Sequence, residues 1–583
     1  MLPEARVLSR QQADSENQVK TDQLRAIFEN KAPYLLLLIL ALLGHGLLLL
    51  NDGVYWDGWL LESYLKEGNW ADLNALATEA GMPMSAYFYW LLNQSGLLPY
   101  FKTITFFLLL FTAAIVYLLG RESRLLTRAE AVTVAALSLV YPAYQTTIEL
   151  GTFRYPFFYA LFLLGILLLW RTARPERPLR LTIGFRLILL LMLFLSFNLN
   201  SLLVFYFPFL FVYFWQIKDR GAITWMQLVK GHLWKRLDFV MLPFAYFAIK
   251  EVFFPVHGAY ANYNRLNLDA QSVFTQLGNF VENAIVGQVE TSLAGLFANP
   301  LLLVALAPVA YLSVWVYARY GHTAQAEPVV IESAGSVPLY ALLVFGVVLL
   351  FAGALPYAAV GLSPALTGWN TRHAILIALP FAFLVTVLMR PIWKLRFSGR
   401  LDMVVKAIPV FVCGALLAGF AMVTASTYVS WQARAVKDKA IISILQDATT
   451  LQKLSVFWID DQYPLGGERL YRFYEWAGMF KQAWGAESWI GLQVQGYPRE
   501  ALAAYRPLFN KSRLLGGFNP EGCQAGMTIR PGEVRYTESA LVWKYLQTRM
   551  QEPDKMKEML NGVVLIDIQI NPEELRRCGL VTD

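Results

Sequence analysis

The stretch "PYLLLLILALLGHGLLLL" (33–50) runs without a break into "NDGVYWDGW" (51–59), so that two aspartates and two tryptophans follow directly on an uncharged apolar run. About 20 apolar residues are needed to cross a bilayer as a helix, and 33–50 is the first of several runs in this chain that approach that length. The 583 residues are 56% hydrophobic, 14% aromatic and only 16% charged, with a mean hydropathy of +0.43. A soluble globular protein rarely reaches such values. The expected class is therefore an α-helical, multi-pass membrane protein with about eleven spans by the length rule. The later spans are expected near 101–120, 129–145, 156–170, 183–200, 202–217, 238–254, 299–318, 338–357, 373–389 and 406–426.

Charge gives the orientation, because Lys and Arg of short loops stay on the cytoplasmic side. The connections "RESRLLTR" (121–128), "RTARPERPLRLTIGFR" (171–186), 218–236, the one beginning at Arg319, and 390–406 together hold 19 basic residues. The intervening loops hold only Lys66, Arg154, Arg265 and Arg372. This pattern places the N-terminus in the cytoplasm and, with an odd number of spans, the C-terminus outside a prokaryotic cytoplasmic (inner) membrane. The net charge of +7 reflects the same loop bias and gives no reason to invoke nucleic acid. Residues 1–30 are polar and without period, as a flexible cytoplasmic tail would be, and insertion then falls to the first span itself.

Three parts are expected: the tail 1–30, a transmembrane part 31–430 with external loops at 51–100, 141–156, 255–298 and 358–372, and an extracytoplasmic C-terminal domain, 431–583. The last alternates strand-like runs, "LSVFWIDD" (454–461) and "GVVLIDIQI" (562–570), with helical stretches such as 539–560, a pattern suited to a small α/β or α+β module. Its two cysteines, Cys523 and Cys578, are chemically free to pair outside the cytoplasm.

In the first loop, Trp56, Trp59, Leu60 and Tyr64 recur at helical spacing, which predicts an amphipathic helix at the headgroup level, followed by a second at 82–96. The loop carries Asp52, Asp57, Glu62, Glu67, Asp72 and Glu79 against Lys66 alone. Asp52 stands where span meets loop, and acids held at a membrane edge tend to be functional. Asn51 or Asp52 would also suit a helix cap, with the other acids forming a solvated face.

This arrangement resembles the membrane glycosyltransferases of the GT-C superfamily, of the mannosyltransferase and oligosaccharyltransferase type. Those proteins have a cytoplasmic N-terminus, a first span ending in an acidic motif, and a first external loop with a surface helix. "NDGVYWDGW" is similar to the Asn-Asp-Gly start of that loop in bacterial oligosaccharyltransferases and to the acid pairs of bacterial lipid-linked sugar transferases. The Trp-Trp-Asp-x-Gly signature is absent from the C-terminal region, which argues against transfer to an Asn-x-Ser/Thr sequon. The resemblance implies a polyprenyl-phosphate sugar donor, Asp52 as general base, and a second external acid that orients the acceptor or holds a divalent cation (Mg2+ or Mn2+) where one is used. Asp57 and Glu149 are the residues for that second role.

A donor phosphate needs cations at the same face. "GLSPALTGWNTRHAILIALP" (361–380) supplies Arg372 and His373, with Asn370 beside them, and a guanidinium matches phosphate oxygens in a forked geometry. Arg372 alone would equally suit interfacial snorkelling. Arg154, five residues from Glu149, is a third candidate cation, or else Glu149's ion-pair partner. "HGAYANYNRLNLD" (257–269) offers Tyr260, Tyr263 and Arg265, of the aromatic and polar kind that suits sugar stacking and hydroxyl bonding. No Walker loop or Gly-rich nucleotide motif is found, so ATP is not indicated.

The expected reaction is transfer of a sugar, with inversion, from a polyprenyl-phosphate carrier to the hydroxyl of a glycan, lipid or protein acceptor. The alternatives are a glycan polymerase or ligase using a similar donor, and a transporter or flippase of a lipid-linked glycan, for which repeated halves and midplane charges would be expected.

Overall fold

The computed structural model describes residues 31–173, 182–261, 265–267, 269–298, 337–395, 397–398, 400–465, 470–485, 489–498 and 522–579. The chain is mostly helical. Seven helices among the described residues are long and apolar enough to cross a membrane: Lys31–Leu49, Leu98–Ser123, Leu150–Arg171, Leu202–Asp219, Leu339–Ala358, Trp369–Trp393 and Arg400–Asp447. At 1.5 Å per residue each reaches about 27 Å or more. Three further expected spans are shorter helices, Arg128–Val140, Ile183–Ser196 and Leu237–Phe253. The run at 299–318, the tail 1–30 and the connection at Arg319 lie outside the described residues.

One end of the bundle is tied by buried ions. Arg390 grips both oxygens of Glu130 at 2.7 and 2.8 Å and the Leu125 carbonyl at 2.7 Å, while Arg171 pairs with Glu122 at 3.5 Å. The other end carries the 51–100 segment and the C-terminal region.

Three differences from the sequence reading matter. The 51–100 loop folds as three helices, Gly58–Lys66, Trp70–Glu79 and Pro83–Gln94, the second capped by Asn69, whose side chain accepts from Asp72 N, and the third started by its proline. Trp56 and Trp59 are not surface residues, at 0% and 5% exposed. Trp56 packs between Trp369 and Trp431, at 4.9 and 4.4 Å between ring centroids. Trp59 packs against Gly478, where an added Cβ would stand 2.5 Å from the indole, so only glycine admits the ring.

Second, the expected loop 255–298 is largely helix, Ala270–Val281 and Gly287–Ala298 joined by a π turn. Small residues let it lie against the Arg400–Asp447 helix, with Ser292 against Gly419. Neither helix is among those long and apolar enough to cross a membrane. Third, the boundary at 430/431 falls inside one helix of 48 residues, Arg400–Asp447. No Gly or Pro interrupts 420–447, so nothing in that stretch stops the helix as it leaves the apolar bundle.

That long helix docks on a four-stranded mixed sheet of order β2-β1-β3-β4, made of Val456–Asp461 (β1), Ile490–Gln493 (β2), Gln524–Pro531 (β3) and Val564–Gln569 (β4). β1 lies parallel to β2 and β3, and β4 is antiparallel to β3. Helices Phe473–Trp484 and Glu538–Gln551 cover it, the latter capped by Thr537. Cys523 and Cys578 form a disulfide with Cα atoms 6.0 Å apart.

The dock is ionic at its centre. Arg434 pairs with Glu475 at 2.9 Å with both side chains at most 2% exposed, and Lys437 pairs with Asp461 at 2.6 Å, equally buried. Breaking a buried pair leaves an unpaired charge and costs about 3–5 kcal/mol, against about 0–1 for an exposed one. Arg434→Met should therefore lower the thermal unfolding midpoint in detergent far more than Arg530→Met, whose pair with Asp567 is half exposed. Equal shifts would contradict an ionic dock.

Candidate functional site

The nine residues 51–59 leave the first apolar helix and enter the dock, and there the backbone takes an unusual turn. Trp56 has φ of 44°, a conformation that bulky residues avoid at a cost of about 1–3 kcal/mol. Its N–H donates to Glu475 Oε1 at 3.2 Å, so the strained peptide is held by the buried carboxylate of the C-terminal region. The turn sends the two aspartates of the motif to different places.

Asp52 is caged. Its Oδ1 accepts from Gln432 Nε2 at 3.1 Å, and its Oδ2 from Lys439 Nζ at 2.8 Å and Tyr545 OH at 2.5 Å, while Arg549, which donates to the Leu50 carbonyl, forms an ion pair with Oδ2 at 3.1 Å. Burial alone would raise its pKa, but the Lys439 ammonium and the bonds from Lys439, Tyr545 and Gln432 outweigh burial and hold the carboxyl below its ordinary value. The donors come from the long helix and from Glu538–Gln551, so Asp52 ties the end of the first helix to the C-terminal region. Beside it, Asn51 accepts from Lys102 Nζ at 2.5 Å and donates to Tyr55 OH at 2.8 Å.

Asp57 faces the other way, into a group of charged residues from three segments. Its Oδ1 accepts from Tyr474 OH at 2.7 Å. Glu149, fully buried, is within Coulombic reach of Asp57 and of Arg372. The Glu149 carboxylate accepts the N–H groups of Gly151 and Thr152 at 2.7 and 2.8 Å. Gly58 passes so near that a Cβ there would stand 3.3 Å from Glu149 Oε1. Burial, and next the Asp57 charge, push the Glu149 pKa up to about 8 against the pull of those two N–H bonds.

The cations close the group. Arg154 and Arg372 share the Tyr155 hydroxyl. Arg154 also donates to Ser85 Oγ at 3.0 Å, and Arg372 to the Trp369 carbonyl at 2.9 Å with its guanidinium 4.1 Å from the Trp369 ring centroid. Such anchoring fixes the direction of both guanidinium groups. His373 is 2% exposed, its Nδ1 3.0 Å from the Ser363 carbonyl, and its ring 5.1 Å from that of Tyr357. Tyr260 lies within Coulombic reach of Arg154.

Of the residues singled out in the sequence, Asp57, Glu149, Arg154, Arg372 and His373 thus meet at one end of the bundle, with Tyr260 at their edge. Asp52 belongs to the neighbouring cage. Asn370 and Arg265 are exposed, and Tyr263 lies outside the described residues. Sequence reasoning missed Tyr155, between the two arginines, and Tyr474 and Glu475, far away in the chain. "RYP" (154–156) held a signal for the first, a phenol next to a candidate cation. "FYEW" (473–476) held none, because nothing local tells which residues a distant segment meets.

The arrangement can hold an anion between two fixed guanidinium groups while a carboxylate stands by to take a proton. Asp57 and Glu149 could also give a divalent cation two ligands, with substrate phosphate and water completing the shell. Among the described residues, the only three His, Cys, Asp or Glu side chains close enough to share an ion are Cys523, Glu574 and Cys578, and the two cysteines are joined to each other. No family model and no curated protein matches the chain.

Because the folded pKa of Glu149 lies above its ordinary 4.5, the folded state binds the extra proton between about pH 4.5 and 8. Its contribution to stability is fully present below 4.5, falls as pH rises through that window, and is flat above 8. The thermal midpoint of the wild type should decline over this range with a component that Glu149→Gln abolishes. A wild-type slope retained in the variant would show that Glu149 is not the group responsible.

Proposed function

We propose that this chain transfers a sugar from a polyprenyl-phosphate carrier to an acceptor hydroxyl at the extracytoplasmic face of a prokaryotic cytoplasmic membrane. The observation that carries the reading is the meeting of two carboxyl groups, Asp57 and Glu149, with two fixed guanidinium groups, Arg154 and Arg372, at one end of an apolar helical bundle. The resemblance of residues 51–59 to GT-C enzymes points the same way. The disulfide suits an oxidising compartment, which supports an extracytoplasmic setting for this end.

In this mechanism Asp57, half-exposed, removes the acceptor proton as the acceptor oxygen attacks the anomeric carbon from the side opposite the phosphate. The bond from that carbon to the phosphate oxygen breaks, and its electron pair leaves with the polyprenyl phosphate. Arg372 and Arg154 neutralise the charge that develops there, where donors fixed in advance are most effective. His373 lines the same wall, and the lipid tail lies along the apolar helices. Asp52 drops out of the chemistry in this reading, because its oxygens are already engaged by three hydrogen-bond donors and an ion pair with Arg549.

The test is transfer by the purified full chain, reconstituted with a panel of polyprenyl-phosphate sugars and read as released polyprenyl phosphate. Asp57→Asn should lose about 10²–10⁴-fold in turnover, the range for removing a general base, and Arg372→Met about 10²–10³-fold. Asp52→Asn should instead lower the thermal midpoint and leave most of the turnover. Transfer abolished by Asp52→Asn in a stably folded protein, with Asp57→Asn active, would return the base to Asp52. Products longer than one added unit would favour the polymerase or ligase alternative.

A further inference from the structure

We propose that the end of the bundle opposite the candidate site binds the phosphate of an acidic phospholipid, which Arg121 and Arg128 grip together beside Tyr34. The inference is independent of sugar transfer and needs only that the apolar helices span a bilayer.

Four helix ends converge there: the start of Lys31–Leu49, the end of Leu98–Ser123, the start of Arg128–Val140 and the end of Leu150–Arg171. A span ends where hydrocarbon gives way to headgroups, so side chains at these ends meet lipid phosphates. Arg124, left-handed at φ 59°, ends the second span, and Thr127 caps the next helix. The chain thus reverses between Arg121 and Arg128 and brings both to one phenol. Arg128 Nε donates to the Tyr117 hydroxyl at 3.2 Å, and the Arg121 guanidinium lies 5.8 Å from the centroid of the same ring. Tyr117 is buried and packs edge-on to the exposed Tyr34, at 5.6 Å between centroids. Tyr34 in turn is within Coulombic reach of Arg121, Arg128 and Arg171.

Glu122 and Glu130, the acids nearest in the chain, are held by other arginines: Glu122 pairs with Arg171 at 3.5 Å, and Glu130 gives both oxygens to Arg390. Tyr117 orients the guanidinium groups of Arg121 and Arg128. Phosphate oxygens accept from two guanidiniums at once, and the Tyr34 hydroxyl is a further donor at the membrane edge. Along the same two spans the surface is apolar and exposed, at Leu35, Leu42 and Leu43 on the first and at Phe107 and Phe111 on the second. A lipid meets both parts of this surface, its phosphate on the arginines and its acyl chains along these side chains, whereas a free phosphate uses the arginines alone. That difference favours the lipid. The same cations repel the ammonium group of a zwitterionic headgroup, which selects an acidic one.

The test is lipid retention by the full chain, purified in detergent, mixed with phosphatidylglycerol, phosphatidylcholine or inorganic phosphate, and read by native mass spectrometry. Wild type should retain phosphatidylglycerol over phosphatidylcholine. Arg121→Gln and Arg128→Gln should each lower that retention by about tenfold or more, the scale of one charge-assisted hydrogen bond. Arg530→Gln, in the C-terminal region, should change nothing. Arg121→Lys keeps the charge without the fork and should lose part of the binding, and it decides the matter if the glutamine variants fail to fold. Full retention in it would then overturn the proposal. So would equal retention of the two lipids by wild type, or folded Arg121→Gln and Arg128→Gln proteins that match Arg530→Gln. Displacement of phosphatidylglycerol by inorganic phosphate at equal concentration would give the site to the free ion and overturn the lipid assignment.

Discussion

The structure depends on one buried carboxylate. Glu475 accepts from Arg434 Nη2 at 2.9 Å, from the N–H of Trp56 at 3.2 Å and from the N–H of Arg472 at 2.6 Å. These donors belong to the long helix, the first loop and the C-terminal region. A fully buried charge is tolerable only when its lone pairs are filled and a counter-charge is near, and here the three elements jointly meet that demand. None of them could move away without stranding the ion, so the carboxylate sets the geometry in which first loop and C-terminal region meet.

Within the nine residues 51–59 this geometry divides the labour between two acids. The strained peptide at Trp56 turns the chain between Asp52 and Asp57, and the two acids, five positions apart, face different surroundings. Asp52 meets three hydrogen-bond donors and an arginine and becomes a tie between helices. Asp57 meets one phenol and stands near the buried Glu149. The difference is one of neighbours and not of residue type. Reactivity follows from how many donors a carboxylate already satisfies.

At the opposite end of the bundle one ion pair shows the same rule used for stability alone. Arg390 binds both oxygens of Glu130 and a backbone carbonyl. At the loop-bearing end, Arg154 and Arg372 are anchored by a serine, a backbone carbonyl and a shared phenol, which aim each guanidinium. Fixed direction is what an anion site needs.

The sequence by itself determined the class of the protein and pointed to several of the charged residues that gather at its loop-bearing end. Apolar runs of near-bilayer length announce the helices, because hydropathy is a local property, and β1 and β4 sit where strand-like runs predict them. Asp57, Glu149, Arg154 and Arg372 were legible because charges are scarce in the loops of such a chain. Hydropathy failed at 270–298, where small residues pack a helix without an apolar run, and at 430, where a helix simply continues. Only the tertiary structure decided which acid is caged and which is open, and that Tyr474 and Glu475 reach the first loop from more than 400 residues away. Those outcomes depend on contacts between distant segments, and a local pattern of residue types carries no record of the partner that a side chain will meet.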